Sequence, residues 1–145
     1  LPLHDAVQTY LREHRLAVAT IARIALTALI SGGELQRHLA RASREYRCRR
    51  DILITELEAR CPDLEVLGVQ AGLHVAILLP DGRPDRDVAE LLRADGLLVS
   101  PLSAFPQHSG SEINGIAVNF AQIDRPAAGR FAECTAAALT PGAPW

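Results

Sequence analysis

The longest regular pattern of apolar residues extends from Ser31 to Cys61 and predicts one long amphipathic helix, which we call the spine helix. Its apolar residues recur at steps of about three to four residues, or at twice that step, and therefore line one stripe. They are Leu35, Leu39, Ala42, Tyr46, Leu53 and Leu57. Ser31 and Glu34 fit a capping box, with Gly33 as the alternative N-cap. Pro62 ends the pattern, because the residue before a proline is disfavoured in the helical region.

Two further helical patterns precede the spine helix. The first, Leu1 to His14, has apolar residues on one face and predicts a short helix. The second, Leu16 to Ile30, is apolar nearly all round, which is typical of a helix that is buried on most sides. It is shorter than a membrane span, so we expect no membrane segment. Two interpretations stay open: the helix faces another domain or subunit, or it is the central helix of this domain's own core.

After Pro62 the pattern changes to short strands. Leu64 to Val69 and Leu73 to Leu79 predict a hairpin with Gly72 in its turn. A helix, a strand and a loop follow over Asp85 to Asp95, Leu97 to Pro101 and Leu102 to Asn114. A strand over Gly115 to Ala121 and a helix from the Asp124 cap to Leu139 complete the chain. This order predicts an α/β two-layer sandwich: a small, mainly antiparallel sheet of three or four strands covered by helices.

The predicted elements divide the chain into three parts. Residues 1–33 form a helical arm, residues 34–139 form the α/β domain with the spine helix at its start, and residues 140–145 are a tail. With 145 residues, of which 48% are hydrophobic, the chain can bury a single core. The net charge of −2 gives no general attraction to nucleic acid or to anionic membranes.

Two residue types are absent from the sequence, lysine and methionine. Without lysine there is no ε-amine for covalent catalysis and no P-loop. Since the chain begins Leu-Pro-Leu and has no methionine, we expect it to be a fragment or a processed product. The three cysteines are odd in number and form no C-x-x-C motif, so we expect reduced thiols in a cytosolic protein.

Two features of the sequence could bind ligands. Arginines lie mostly off the apolar stripe of the spine helix, and they could contact phosphate or nucleic acid. Interspersed acidic residues and the negative net charge favour a solvated helix face instead. His74 begins a predicted strand, and its side chain points to the face opposite Leu73, Val75 and Ile77. It could line a ligand pocket or be an ordinary hydrogen-bonded histidine.

The loop PLSAFPQHSGSE contains serines, a histidine and a glutamate. A Ser/His/acid hydrolase site is disfavoured there, because residues adjacent in a loop rarely adopt triad geometry and no G-x-S-x-G motif is present. The five histidines show no H-E-x-x-H spacing, so we expect no metal site.

Four stretches of the sequence, taken in order, resemble one family. They are SGGELQRHLARASREYRCRRDILITELE, VLGVQAGLHVAILLP, LLVSPLSAF and GIAVNFAQI. Each is similar to the corresponding segment of the MocR subfamily of GntR-type transcriptional regulators, and their order agrees from about Leu1 to Leu139. The positions that contribute most to the resemblance are His38, Arg41, Tyr46, Arg49, Arg50, Gly72, Leu73 and His74.

The resemblance implies both a fold and a parent protein. MocR regulators join an N-terminal winged helix-turn-helix to a domain with the fold of type I aminotransferases, which binds pyridoxal 5′-phosphate (PLP). Residues 34–139 would be the small C-terminal domain of that fold, and residues 1–33 would pack toward the large domain. The winged helix, the large domain and the PLP-binding lysine would lie upstream of Leu1. The parent would be a cytoplasmic homodimer, and this chain would contact neither DNA nor membrane and would hold no covalent cofactor.

The resemblance also implies where a ligand would bind. Gly72 to His74 and the loop from Pro101 to Phe105 would face the cleft between the two domains, so Gly72, His74, Ser103 and Phe105 are candidate contacts for a substrate or effector. No residue is expected to be catalytic, to bind the cofactor or to bind a metal. One departure is informative: class I aminotransferases have an arginine for the substrate carboxylate where this chain has Ala117. A methyl group cannot make that bidentate contact.

Three hypotheses for function follow. The first is a part of a PLP-binding, effector-sensing domain of a transcriptional regulator, which is not catalytic alone. The second is the small C-terminal domain of a true PLP-dependent class I aminotransferase, which an arginine in place of Ala117 would have favoured. The third is an independent α/β interaction module that buries Leu16 to Ile30 by itself. An exposed apolar arm predicts that the isolated chain self-associates.

Overall fold

The computed structural model describes residues 2–13, 20–68, 72–80, 82–105 and 113–140. The chain divides into two compact units, Leu1–Ala42 and Ser43–Trp145, which are described separately. The sequence-based division between residues 33 and 34 stays a prediction. Several expectations lie outside the described residues: the hairpin positions Gln70 and Ala71, the start of the apolar helix, the Ser/His/acid part of the loop, and the tail.

The first unit contains two helices and the start of a third. Helix α1 spans Pro2–Glu13 and helix α2 spans Thr20–Ser31, in agreement with the predicted helices. Gly33 has φ +72°, and its carbonyl accepts the first hydrogen bond of helix α3, from Arg37 N at 3.1 Å. Gly33 is therefore the N-cap of α3. The predicted capping box is wrong, because Ser31 is the last residue of α2.

The apolar helix α2 is exposed. None of its residues is buried; Ile21 is 84% and Ile24 is 61% exposed. It is therefore not the central helix of this chain's own core, which was one of the two interpretations of the pattern. The other, that it faces a further domain or subunit, stays a prediction. Within the described ranges, no helix has the length and apolar composition needed to cross a bilayer.

Helix α3, Glu34–Arg60, is the spine helix. In the second unit its apolar stripe is buried, since Leu53 and Leu57 are at most 1% exposed. Arg60 pairs with Glu56 one turn earlier and with Glu133 of the last helix at 3.2 Å. The helix ends where predicted, just before Pro62. The stripe of apolar residues thus anchors the C-terminal half of the helix in the core.

The sheet has four strands, β1 Val66–Leu67, β2 His74–Leu78, β3 Val99–Pro101 and β4 Gly115–Asn119. Their order is β1-β2-β4-β3, and every neighbouring pair is antiparallel. The fold class expected from the sequence is thereby confirmed: an α/β arrangement with a small antiparallel sheet. The predicted hairpin is the β1–β2 pair, and the predicted late strand is the central strand β4.

Helices α4, Asp85–Ala94, and α5, Arg125–Leu139, follow strands β2 and β4. Gly96, with φ +78°, ends α4 in a Schellman motif, because Leu97 N donates to Leu92 O and Gly96 N donates to Arg93 O, both at 2.9 Å. Asp124 caps α5 by accepting from Ala127 N at 2.9 Å. These helices and α3 supply one side of the core, and the sheet supplies the other. The buried side chains include Leu53, Leu57, Val75, Ile77, Val88, Leu92, Val99, Ile116, Val118 and Phe131.

Candidate functional site

Burial alternates along the two central strands and separates their faces. Val75 and Ile77 of β2 are at most 1% exposed and face the helices, whereas His74 is exposed and Ala76 is half-buried. In β4, Ile116 and Val118 are likewise buried. The predicted direction of the His74 side chain, away from the core, is confirmed. We call the face opposite the helices the outer face; its side chains are Leu67, His74, Ala76, Leu78, Ser100, Ala117 and Asn119.

The outer face is weakly polar. Its central row runs across all four strands, because Ala76 pairs with Leu67 on one side and with Ala117 on the other, and Ala117 pairs with Ser100. None of its side chains is an arginine or a carboxylate. Ala117, the position at which the resemblance implies a carboxylate-binding arginine in enzymes, lies in the middle of this row. The row therefore has small side chains on three of its strands and Leu67 on the fourth, and it carries no fixed charge.

His74 and Asn119 form a cross-strand pair at one end of this face. They are directly opposite in the β2–β4 register, and Asn119 Nδ2 lies 3.2 Å from His74 Nε2. Asn119 Oδ1 accepts a hydrogen bond from Ala121 N at 2.8 Å. The Ala121 carbonyl in turn accepts from the Arg49 guanidinium of helix α3. A continuous series of hydrogen bonds therefore connects the spine helix to His74.

Asp85 holds the opposite end of the sheet. Its carboxylate is 3% exposed and accepts from Ser103 Oγ at 2.7 Å, from Ser103 N at 2.8 Å and from Gly115 N at 3.5 Å. Its own backbone N–H donates to Asn114 Oδ1 at 2.9 Å. We call these four residues, Asp85, Ser103, Asn114 and Gly115, the carboxylate clamp. The clamp joins the start of α4 to the turn after β3 and to the start of β4.

Hydrogen bonding decides the charge state of the buried carboxylate. Burial by itself raises the pKa of Asp85, but the hydrogen bonds from Ser103, Gly115 and Arg86 outweigh this and lower the pKa below its ordinary value of 3.8. Asp85 is therefore ionised at neutral pH. Three clamp residues, Asp85, Ser103 and Asn114, also line an open pocket of about 590 Å³ beside Arg83 and Arg86.

The structure does not bring the predicted site residues to one point. Gly72, with φ +87°, precedes β2, and His74 is the first residue of that strand. At His74, β2 pairs with the end of β4 at Asn119. Ser103 follows β3 and is hydrogen-bonded within the clamp, beside the start of β4 at Gly115. The length of β4, roughly 13 Å at about 3.3 Å per residue, separates the two groups. Phe105 follows the short 3₁₀ turn Leu102–Ala104 and is 53% exposed.

Ser103 and Phe105 thus differ in how freely their side chains could contact a ligand, and their roles stay predictions. The Ser103 hydroxyl already donates to Asp85, whereas the Phe105 ring is exposed. Sequence reasoning missed the hydrogen bonds by which Asp85 and Asn114 hold the turn after β3 and the start of α4. The only local signal was an aspartate at the start of a helix, which ordinarily indicates a cap or a favourable interaction with the helix dipole.

Two of the three free cysteines, Cys61 and Cys134, are partly buried, and Cys48 is exposed. Burial raises the pKa of both Cys61 and Cys134, and for Cys134 a hydrogen bond to Asp95 raises it further. Less thiolate is therefore present at neutral pH than for a free cysteine. Among the residues that the structure describes, no three His, Cys, Asp or Glu side chains come together as metal ligands.

No family model matches the sequence. Among solved structures, the chain is similar to an archaeal alanine:glyoxylate aminotransferase, with 31% identity and a TM-score of 0.64 over 78% of this chain. It is also similar to the α-aminoadipate aminotransferase LysN of Thermus thermophilus, with 19% identity and a TM-score of 0.74 over 95%. The kynurenine aminotransferase of Pyrococcus horikoshii matches with 24% identity and a TM-score of 0.67 over 77%.

The chain has part of the fold of PLP-dependent aminotransferases of fold type I. The chain spans 28% of the archaeal enzyme and 35% of LysN. The aminotransferase-like part of the sequence-based expectation is therefore confirmed. The outer face and the carboxylate clamp belong to this aminotransferase-like chain, which contains no lysine to hold PLP covalently.

Proposed function

We propose that this chain is the small C-terminal part of a PLP-binding, aminotransferase-like domain in a MocR-type transcriptional regulator of the GntR group. Its role is to border the effector cleft and to support dimerisation, without catalysis of its own. The observation that carries the proposal is Ala117, which stands at the centre of the outer face between Ala76 and Ser100. A ligand at this face meets small neutral side chains instead of a bidentate cation.

The residues of this chain do not hold PLP covalently. The sequence has no lysine, so an amine for attachment must come from another part of the parent protein. When bound, PLP supplies an electron sink for amines and amino acids. The contribution of this chain is to orient the bound group and to exclude water when the domains close.

The partners of the chain follow from the same proposal. We propose that an upstream large domain and a winged helix-turn-helix precede it in the parent, and that the parent is a cytoplasmic homodimer. The exposed apolar side chains of α2, such as Ile21 and Ile24, support a contact with the large domain or with a second subunit. The chain itself contacts neither DNA nor membrane in this proposal.

A true PLP-dependent aminotransferase is the alternative parent. The similarity to three solved aminotransferases is compatible with it. In that case another arginine of the parent must bind the substrate carboxylate, because the described part of the outer face offers none. The presence or absence of turnover therefore separates the two parents.

The test uses the complete protein that contains this chain. We expect it to bind PLP, to protect a DNA fragment from its own promoter region, and to transaminate L-alanine or L-leucine no faster than free PLP does. The control is a variant of the parent without its DNA-binding segment, which should still bind PLP but should not protect the DNA. Transamination well above the rate with free PLP, without DNA binding, would establish the enzyme instead.

A further inference from the structure

Both polar atoms of the Asn119 side chain are hydrogen-bonded, and one of them bonds to His74. The backbone N–H of Ala121 can only donate, so the atom that it meets at 2.8 Å is the amide oxygen of Asn119. The amide NH₂ must then be the group that faces His74 Nε2 at 3.2 Å. Since this group can only donate, His74 Nε2 is an acceptor and carries no proton.

The state of the imidazole follows from this arrangement. A neutral imidazole carries one proton, so it resides on Nδ1 when Nε2 accepts. Nδ1–H makes no hydrogen bond with any described residue, and the His74 side chain is exposed on the outer face. The bonds through Asn119 and Ala121 to the Arg49 guanidinium fix the orientation of the ring. The result is a single, oriented N–H donor.

We propose that the Nδ1–H of His74 is the donor with which the outer face binds a neutral oxygen acceptor of the ligand, such as an amide or ester carbonyl. The inference rests on the proposed function, since it names the ligand chemistry of the same cleft. A neutral donor beside Ala117 and Ala76 provides no charge to repay the desolvation of a carboxylate. Removing an uncharged acceptor from water costs far less than removing a carboxylate, and one hydrogen bond offsets much of that cost. Asn119 is the positioning residue in this arrangement.

The first experiment measures the tautomer. The 145-residue chain is prepared with ¹⁵N-labelled histidine, and one-bond and long-range ¹H–¹⁵N correlations are recorded at about pH 8, where free imidazole side chains are neutral. The His74 signals are assigned by their loss in His74→Leu. We expect a protonated Nδ1 and an unprotonated Nε2 in the wild type, and a mixture of tautomers in Asn119→Ala. A proton on Nε2 in the wild type would overturn the inference.

The second experiment measures binding to the complete parent protein by calorimetry. The probes are two reduced adducts, N-(5′-phosphopyridoxyl)-L-leucine and N-(5′-phosphopyridoxyl)-L-leucinamide, which differ only in carboxylate or amide. We expect the amide adduct to bind more tightly than the acid. His74→Leu should weaken the binding of the amide adduct by about 3- to 10-fold, the effect of one hydrogen bond. His74→Asn keeps an N–H on the same carbon, Cγ, and should recover most of the affinity.

The outcomes separate this inference from the function on which it rests. His38→Leu, at an exposed histidine of the first unit, is the matched control and should bind both adducts like the wild type. If the wild-type parent binds neither adduct, the proposed function fails and the inference fails with it. If the parent binds both adducts but His74→Leu binds the amide as tightly as the wild type, the inference alone is overturned.

Discussion

The carboxylate of Asp85 accepts two hydrogen bonds from Ser103, one from its hydroxyl at 2.7 Å and one from its backbone N–H at 2.8 Å. The two residues belong to different elements, the first turn of α4 and the 3₁₀ turn after β3. One buried side chain thus orders the loop that leads to Phe105. In the proposed function this loop borders the effector cleft, so we expect the clamp to couple the stability of the domain to the shape of that cleft.

Asp85→Asn should destabilise the domain by about 1–3 kcal/mol. The amide keeps the size of the side chain, but it is uncharged and has one acceptor oxygen instead of two for the three groups that donate to the carboxylate. The free energy of unfolding from urea titration measures the effect. Asp87→Asn, two residues further along the same helix, removes a half-buried carboxylate outside the clamp and is the control. Equal effects of the two substitutions would contradict the importance of the clamp.

The clamp also predicts a pH dependence of stability. The pKa of Asp85 is lowered in the folded chain, so its unfolded state binds a proton more readily than its folded state. The stabilisation is therefore fully present above the ordinary pKa of 3.8 and is lost as the pH falls through the folded pKa. The unfolding free energies of the wild type and Asp85→Asn, measured from neutral to acidic pH, should converge below that range. A constant difference at all pH values would show that the ionised carboxylate is not responsible.

Ser103→Ala should cost less than the loss of Asp85, about 0.5–1.5 kcal/mol. It removes the hydroxyl but keeps the backbone N–H, which still donates to the carboxylate. The two substitutions should not be additive, because both act on one set of hydrogen bonds. A double-mutant cycle with Asp85→Asn measures this coupling. Strict additivity would mean that the Ser103 hydroxyl contributes independently of Asp85.

Gly115 is required for close approach rather than for an unusual backbone angle. A Cβ at this position would lie 2.7 Å from the Ile77 carbonyl oxygen and 2.8 Å from Leu102 Cδ1. The leucine can move, but the backbone of the paired strand cannot, so Gly115→Ala should destabilise the domain by about 1–3 kcal/mol. Gly129→Ala, inside helix α5, is the control, since a Cβ there would meet only the side chains of Glu56 and Arg60, at 3.8 Å and 3.9 Å. Thermal unfolding should show opposite shifts, because alanine favours a helix interior.

Local patterns in the sequence were sufficient for most of the elements. Alternation placed His74 on the face away from Val75, Gly96 marked the end of α4, and Asp124 marked the start of α5. Each of these features depends on neighbours a few residues away, so the sequence reports it directly. The start of α3 stays open in the sequence between Ser31 and Gly33, because both are reasonable caps, and only the extent of α2 decides for Gly33.

The clamp and the outer face could not be predicted in the same way. Asp85 contacts Ser103 and Gly115, which are 18 and 30 residues away, and no periodic pattern links them. The exposure of α2 could not be predicted either. An apolar pattern indicates that a helix face is buried in the complete protein, but it does not show whether residues of this chain bury it. The order of strands, with β4 in the centre, decides that His74 and Ser103 lie at opposite ends of the sheet.

Ala117→Arg tests the interpretation of the outer face most directly. The substitution places a guanidinium on the exposed side of the central row, between Ala76 and Ser100. In the complete parent it should tighten the binding of N-(5′-phosphopyridoxyl)-L-leucine by about tenfold, since a charge-assisted hydrogen bond is worth about 1.5–3 kcal/mol. It should leave the binding of the leucinamide adduct nearly unchanged. Ala117→Met adds length without charge and is the control; equal gains in both variants would show that the face selects for size and not for charge.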